Sequence, residues 1–196
     1  MVTALATPDA AITRPSVEAV TGVAGAVADP ELPTLTIADL GILRAVRIAD
    51  DGHIDVDLTP TYSGCPAVEV IEHDVRHALV GAGWADVTVR RVMAPAWTTD
   101  WVTAEGRRKL AEIGIAPPGP ACQAAAGSDA DGTAAARAAT GAGDSTPPAS
   151  QPVAFVRCPQ CGSRDTELLS RFSSTACKAL RRCRSCLEPF DHFKPL

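Results

Sequence analysis

The sequence has few of the features that would assign its class at once. Only 4% of its 196 residues are aromatic, and no stretch approaches the roughly 18 consecutive apolar residues of a membrane helix. Residues 1–14 contain no basic leader followed by an apolar run, the pattern of an export signal. We therefore expect a soluble, cytoplasmic protein with no membrane partner.

Cysteine, by contrast, is plentiful. Seven cysteines occur in 196 residues, and because thiols stay reduced in the cytosol they indicate metal binding or redox chemistry rather than a disulfide framework. Five of them lie in residues 153–196, where 8 Lys+Arg and 4 Asp+Glu give +4, whereas the rest of the chain has 10 and 19 and carries −9. The C-terminal segment therefore differs in kind from the acidic remainder.

The first two thirds of the chain alternate between helix and strand patterns. Valines recur at helical spacing after Ser16, an expected N-cap, and residues 54–58 alternate apolar side chains with aspartates after an Asp51-Gly52 turn. Residues 66–81 return to helical spacing, and a third strand and a last helix follow. The order α-β-β-α-β-α predicts an α/β (α+β) small two-layer domain with a mixed sheet.

Composition divides the chain into four parts. We predict a flexible N-terminus at residues 1–14, a folded domain at residues 15–118, a disordered linker at residues 119–152 and a separate module at residues 153–196. The linker consists almost entirely of small and polar residues, so it lacks the large apolar side chains that would repay the entropy of ordering.

The C-terminal module contains two Cys-x-x-Cys turns, Cys158 with Cys161 and Cys183 with Cys186. Two such turns let four thiolates converge tetrahedrally, as a closed structural zinc site requires. Because the module is too small to rely on a hydrophobic core, we expect the metal to supply much of its folding free energy. The spacing predicts a zinc ribbon that binds one structural zinc ion.

Alternative interpretations of this module stay open. A rubredoxin-like iron site uses the same four ligands. The arginines near the second turn are compatible with nucleic-acid binding, but four thiolates on a divalent ion cut the charge of +4 to about +2, and no aromatic platform for bases is present. We expect no nucleic-acid partner. Cys177 either replaces a turn cysteine or is a spare thiol, and the two complete turns favour the second. A further alternative is an accessory reactive thiol whose pKa the neighbouring Lys178 lowers.

Cys65 lies where a strand pattern ends and the helix pattern begins at Pro66. A helix start presents unpaired N–H groups and partial positive charge, which favour a thiolate. The alternative is a small buried residue, since free cysteine is often buried. No histidine stands in a motif that would support a cysteine hydrolase. With Asp29 and Glu31 elsewhere in the domain, the sequence favours a thiol that transiently binds a metal or a sulfur-bearing species.

Several motifs resemble a known family. Three motifs resemble the iron–sulfur assembly domain of SufT-like proteins: Asp29-Pro30-Glu31-Leu32-Pro33, Asp39-Leu40-Gly41-Ile42 and Thr59-Pro60-Thr61-Tyr62-Ser63-Gly64-Cys65-Pro66. With four further motifs, the whole chain resembles the PaaD (PaaJ) family of bacterial phenylacetate degradation. These motifs are Pro95-Ala96-Trp97-Thr98-Thr99-Asp100-Trp101, Gly114-Ile115-Ala116-Pro117-Pro118, Ser174-Thr175-Ala176-Cys177-Lys178 and Glu188-Pro189-Phe190-Asp191. Ser173 and His192 stand where the family has Gly and Tyr.

This resemblance implies an accessory factor, not an enzyme in its own right, for the phenylacetyl-CoA ring epoxidase, a di-iron oxygenase served by a flavin and iron–sulfur reductase. It implies that Asp29, Glu31, Thr61 and Cys65 handle iron or an iron–sulfur unit transiently. The expected partners are the oxygenase and reductase subunits and iron–sulfur assembly proteins. The alternative function is a structural adaptor that holds oxygenase and reductase together through the ribbon and the tryptophan loop at residues 95–101.

Overall fold

A computed structural model describes residues 15–119 and 156–195 of the chain. The predicted flexible N-terminus at residues 1–14 and nearly all of the predicted linker at residues 119–152 lie outside the described residues. Within the described ranges the chain forms three α-helices, one short 3-10 helix and six strands in two three-stranded sheets. None of these helices is long and apolar enough to cross a membrane.

The first sheet is mixed and has β2 at its centre. Strands β1 (Leu43–Ile48) and β2 (Ile54–Leu58) pair antiparallel, and β3 (Val87–Arg91) pairs parallel with β2. Along β2, fully buried residues alternate with aspartates that are only partly buried, as a period of two predicts. The mixed sheet of the predicted two-layer domain is confirmed.

Helices cover this sheet and position the Cys65 loop. Helix α1 (Val17–Gly25) is capped at its N-terminus by Ser16, whose Oγ accepts a hydrogen bond from the Ala19 N–H at 3.1 Å. Helix α2 (Ala67–Gly81) makes the crossover that the parallel strand pair requires. It buries a stripe of four side chains, each contributing roughly 1.5–3 kcal/mol when fully buried: Val68, Ile71, Val75 and Leu79. This packing fixes the loop of residues 59–66 that enters α2.

The tryptophan loop at residues 95–101 packs inward. Trp97 is 6% exposed and donates a hydrogen bond from Nε1 to the backbone oxygen of Leu40 at 2.9 Å. Trp101 is partly buried, and the Arg44 guanidinium lies 3.4 Å from its ring centroid in a cation–π contact. Both tryptophans therefore make internal contacts, whereas Pro95, Ala96 and Asp100 of the same loop are exposed.

The Asp39-Leu40-Gly41 motif has a structural role beside this loop. Lys109 of α3 (Ala104–Glu112) lies 2.7 Å from Asp39 Oδ2. Gly41 has a φ of +66°, and a Cβ at this position would lie 2.5 Å from the backbone oxygen of Trp101. Only glycine fits there without displacing the loop.

The second sheet is the ribbon. Strand β5 (Lys178–Cys183) lies between β4 (Thr166–Ser170) and β6 (Pro189–Phe193), and all pairs are antiparallel. Strand β6 is not predicted by a local sequence pattern. His192 and Phe193 are consecutive and both buried, so β6 lacks the alternation by which a half-buried strand is recognised.

Strand β6 joins the ribbon to the first domain. The Ala116 N–H donates to the Asp191 oxygen at 2.8 Å, and the Ala116 oxygen accepts from the Phe193 N–H at 3.0 Å. Phe193 is 1% exposed, and its ring centroid lies 6.0 Å from that of Trp97. Phe193 and Cys177 belong to the same buried cluster as the core of the first sheet. The ribbon therefore shares a core with residues 15–119.

His192 is enclosed at this junction. Its side chain is 6% exposed, and its Nε2 has no hydrogen-bond partner among the described residues. Burial, with a smaller contribution from the charge of Arg181, lowers the pKa of His192 to about 4. The imidazole is therefore neutral in the folded chain at pH 7.

We predict that His192 makes the fold sensitive to mild acid. Its folded pKa of about 4 lies below the unfolded value of 6.5, so the unfolded chain takes up the proton first and stability falls as the pH drops from 6.5 towards 4. Between pH 7 and pH 5 this lowers the free energy of unfolding by about 2 kcal/mol. In urea titrations at these two pH values, His192→Phe should lose less stability than the wild type by that amount; equal losses would contradict the prediction.

Candidate functional site

The four cysteines of the Cys-x-x-Cys turns converge at one end of the ribbon. Their Sγ atoms all lie within 4.8 Å of one another, with Cys158 3.7 Å from Cys186 and Cys161 3.6 Å from Cys183. A tetrahedron with metal–sulfur bonds of about 2.3 Å has edges of about 3.8 Å, so this spacing fits a four-thiolate metal centre. In residues 15–119 and 156–195, no other group of three or more Cys, His, Asp or Glu is so closely spaced.

The backbone of these turns prepares the thiols for a metal. Gly162 has a φ of +74°, and its N–H donates to the Cys158 oxygen at 2.9 Å, which closes the first turn. In the second turn, backbone N–H groups of Cys186 and Ser185 lower the pKa of Cys183 to about 6, whereas hydrogen bonds between the neighbouring thiols raise the pKa of Cys161 and Cys186. A thiol that ionises near neutral pH is a ready metal ligand.

Cys177 lies at the opposite end of β5 from these ligands. It is six positions before Cys183, and at about 3.3 Å per residue their Cα atoms are roughly 20 Å apart. Cys177 therefore does not replace a turn cysteine at the ribbon metal. Its side chain is 5% exposed and lines a pocket that Cys65 also lines.

Cys65 lies at the entry to α2, but the structure does not favour its thiolate. The N–H groups of Ala67 and Val68 stabilise the ionised sulfur, as expected at a helix start. Burial has the larger effect, and the negative charges of Glu31 and Asp29 act in the same direction, so the pKa of Cys65 is raised. The expectation of a helix-start thiolate is therefore wrong for the protein alone, and the half-buried thiol is protonated at neutral pH.

Asp29 and Glu31 face this pocket with different contacts. Asp29 is 6% exposed, and its Oδ1 accepts hydrogen bonds from the N–H groups of Glu31 at 2.8 Å and Leu32 at 2.9 Å. The Glu31 side chain is partly buried, with no hydrogen bond or ion pair to any described residue. Burial raises the pKa of both carboxyls. Asp29 thus holds the loop, whereas the Glu31 carboxylate interacts with Lys178 and Asp29 only through charge.

The pocket is very small. Its free volume is about 10 Å³, which is roughly the space that one water molecule needs and too little for an organic cofactor. Its polar lining comes from loops of the first domain and of the ribbon and consists of Asp29, Glu31, Thr61, Cys65 and Cys177. These groups are not as tightly clustered as the four ribbon cysteines, so the pocket is not a preformed, closed metal centre.

Two further side chains that the sequence did not assign to this site border the pocket. The pKa of Tyr62 is raised by burial and, to a smaller extent, by the charges of Cys65 and Glu31. A hydrogen bond with Cys65 also contributes, so the phenol lies beside the Cys65 thiol. Lys178 is 5% exposed and counteracts the rise in the pKa of Cys177. Burial is nonetheless the larger cause and raises the pKa of Cys177, so the predicted lowering by Lys178 is wrong in its net result.

Two domain families match the chain. The family described as iron-sulfur cluster assembly protein matches residues 17–90, and the PaaD zinc beta ribbon domain matches residues 142–194. The first range includes the Cys65 loop, and the second includes Cys177 and all four ribbon cysteines. The chain therefore combines an iron–sulfur assembly domain with a zinc-ribbon domain.

Individual relatives extend this match to the whole chain. A protein of Escherichia coli (strain K12), provisionally named as one of the subunits of 1,2-phenylacetyl-CoA epoxidase, is 42% identical over 186 residues, 94% of this chain and 96% of that protein. The Fe-S protein maturation auxiliary factor of Porphyromonas gingivalis (strain ATCC BAA-308 / W83) is 33% identical over 43% of this chain and 80% of its own. A crystal structure of a domain of unknown function from Bacillus anthracis, 25% identical, covers 48% of this chain and 90% of that chain with a TM-score of 0.45. This chain belongs to the PaaD family.

We predict that the ribbon needs its metal to stay folded. Removing the ion leaves four adjacent thiols without the bonds that hold the two turns together, and such sites contribute much of the folding free energy of small modules. Elemental analysis should find one metal ion per chain, and a chelator should make Cys177 reactive towards a thiol reagent. Cys183→Ser should lose the metal, whereas Ser185→Ala in the same turn should keep it. Unchanged thiol reactivity in chelator would contradict the prediction.

Proposed function

We propose that this chain is an accessory factor that transiently holds iron, or an iron–sulfur unit, at Cys65 and delivers it to a metal centre of a phenylacetyl-CoA epoxidase. The name of the Escherichia coli relative supports the link to the epoxidase. The matching assembly domain and the maturation auxiliary factors support the handling of iron. The proposed role is accessory rather than catalytic.

The observation that carries this proposal is the contrast between the two sulfur sites. The ribbon cysteines are spaced as a closed tetrahedral centre, which retains its ion. The Cys65 pocket has room for about one ion, and its polar groups are less tightly clustered. An ion that must first displace protons from thiols and draw its ligands together binds more weakly than an ion in a preformed tetrahedral site. Such a site can accept an ion and release it to another protein.

Each residue of the pocket has a distinct proposed role. Cys65 is the ligand that takes up the cargo, and Glu31 is the neighbouring carboxylate. Asp29 and Thr61 shape the pocket from the two loops that form it. The ribbon ion is zinc, which has a structural role and fits a closed four-thiolate site. The proposed partners are iron–sulfur assembly proteins as donors and the oxygenase or reductase subunit as the client.

We predict that Cys65→Ser lowers the iron content and the activity of the epoxidase when the two are co-expressed, because serine is a much poorer ligand for iron than a thiolate. The epoxidase subunits should be purified and assayed for iron and for turnover. Ser63→Ala, an exposed change in the same loop, is the matched control and should behave as the wild type. Normal iron content and activity with Cys65→Ser would remove Cys65 from the mechanism.

A second candidate function is the structural adaptor, and one surface favours it. Strand β4 is an edge strand of the ribbon, and three large apolar side chains on it or just beyond it are exposed: Leu168 at 47%, Leu169 at 49% and Phe172 at 65%. An edge strand with exposed apolar residues is a typical surface for pairing with another chain. In this function the ribbon, and not the tryptophan loop, would contact the partner.

The adaptor function predicts that Phe172→Ser abolishes stable co-purification with the epoxidase subunits, since the exposed ring would contribute to the interface, while the zinc content stays at one per chain. Cys65→Ser should then leave the complex intact. Affinity purification of the tagged chain from cells that express all epoxidase subunits distinguishes the adaptor function from the delivery function. A complex that survives Phe172→Ser and Leu169→Ser together would exclude this surface.

A further inference from the structure

The ribbon brings a second cysteine to the Cys65 pocket. Cys177 and Cys65 are 112 positions apart in the sequence, yet both line the same small pocket. The ribbon metal does not engage Cys177, because the strand of β5 separates them. Cys177 is also too buried, at 5% exposure, to act as a surface thiol. Its place in the fold is therefore accounted for neither by the zinc site nor by reactivity with solvent.

Several contacts fix the Cys177 side chain in this place. The Cys177 backbone oxygen accepts a hydrogen bond from the Lys194 N–H at 2.9 Å, next to the buried Phe193. The Thr175 Oγ1 lies 3.0 Å from the Cys177 Sγ. The position of the thiol therefore depends on how the ribbon packs against the first domain, and in particular on the seating of Phe193.

The charges around the pocket favour a bound cation. Asp29 and Glu31 supply two carboxylates, and Lys178 is the cation that interacts with both of them. Lys178 Nζ also lies 3.6 Å from Asp191 Oδ2, so its single charge is divided among three carboxylates. A divalent ion between the thiols would supply the missing positive charge and would stabilise both sulfurs as thiolates.

We infer that Cys177 and Cys65 together bind one divalent metal ion, Fe²⁺, with the free carboxylate of Glu31 as a third ligand. This inference rests on the proposed function, and it makes the docked ribbon part of the cargo site. On binding, each thiol releases one proton to solvent and forms one metal–sulfur bond, with no change in oxidation state.

Cobalt is a suitable probe, since Co²⁺ bound by thiolates shows sulfur-to-metal charge-transfer absorption. The full chain is first loaded with one zinc ion per chain, confirmed by elemental analysis, and is then titrated with Co²⁺. The wild type should bind one further ion with charge-transfer absorption. Cys177→Ser and Cys177→Ala should each lose about half of this absorption per ion and bind at least about tenfold more weakly, as should Cys65→Ser. Ser174→Ala, an exposed change nearby, should match the wild type.

The outcomes separate this inference from the proposed function. If only Cys65→Ser weakens the second site, Cys177 is not a ligand and the inference fails while the role of Cys65 stands. If zinc-loaded wild type shows no charge-transfer absorption from a second ion, the two-thiol site is excluded. If the two-thiol site is found but Cys65→Ser leaves epoxidase iron unchanged, the site stands and the delivery function fails. Zinc content of one per chain in every variant shows that the ribbon remains folded.

Discussion

The contact between strand β6 and the segment after α3 is the constraint on which the rest of the molecule depends. Two backbone hydrogen bonds at Ala116 and the burial of Phe193 against Trp97 dock the ribbon on the first domain. Because the Lys194 N–H, next to Phe193, holds the Cys177 backbone, this docking also places a ribbon thiol beside the Cys65 loop. The four ribbon cysteines lie at the far end of β5 from this pocket.

The two sulfur sites differ in how closely their polar groups are spaced. In the ribbon, two tight turns bring four thiols to the edge lengths of a tetrahedron, and the pKa of Cys183 is lowered while those of Cys161 and Cys186 are raised. In the pocket, burial and nearby carboxylates keep the Cys65 and Cys177 thiols protonated. A cation reverses that balance while it is bound, so the pocket is suited to holding an ion for a limited time.

Features that arise from residues close together in the sequence could be predicted from the sequence. Local patterns in the sequence indicate the alternation in β2, the apolar stripe of α2 and the Cys-x-x-Cys turns. A local pattern also indicates that Cys65 lies at a helix start. Strand β6 has no such pattern because two consecutive residues of it are buried at the junction. Cys65 and Cys177 line one pocket because of the tertiary fold, which sequence spacing does not encode. The raised pKa of Cys65 depends on burial, which overrides the helix terminus.

The most direct measurement of the central claim is X-ray absorption at the iron edge, on the full chain that contains one zinc ion and one added equivalent of Fe²⁺. The account predicts about two sulfur neighbours around iron, together with oxygen neighbours, and an unchanged zinc-edge spectrum with four sulfurs. Iron surrounded by oxygen and nitrogen alone would contradict it. Such a result would mean that the pocket of Cys65 and Cys177 does not hold the cargo.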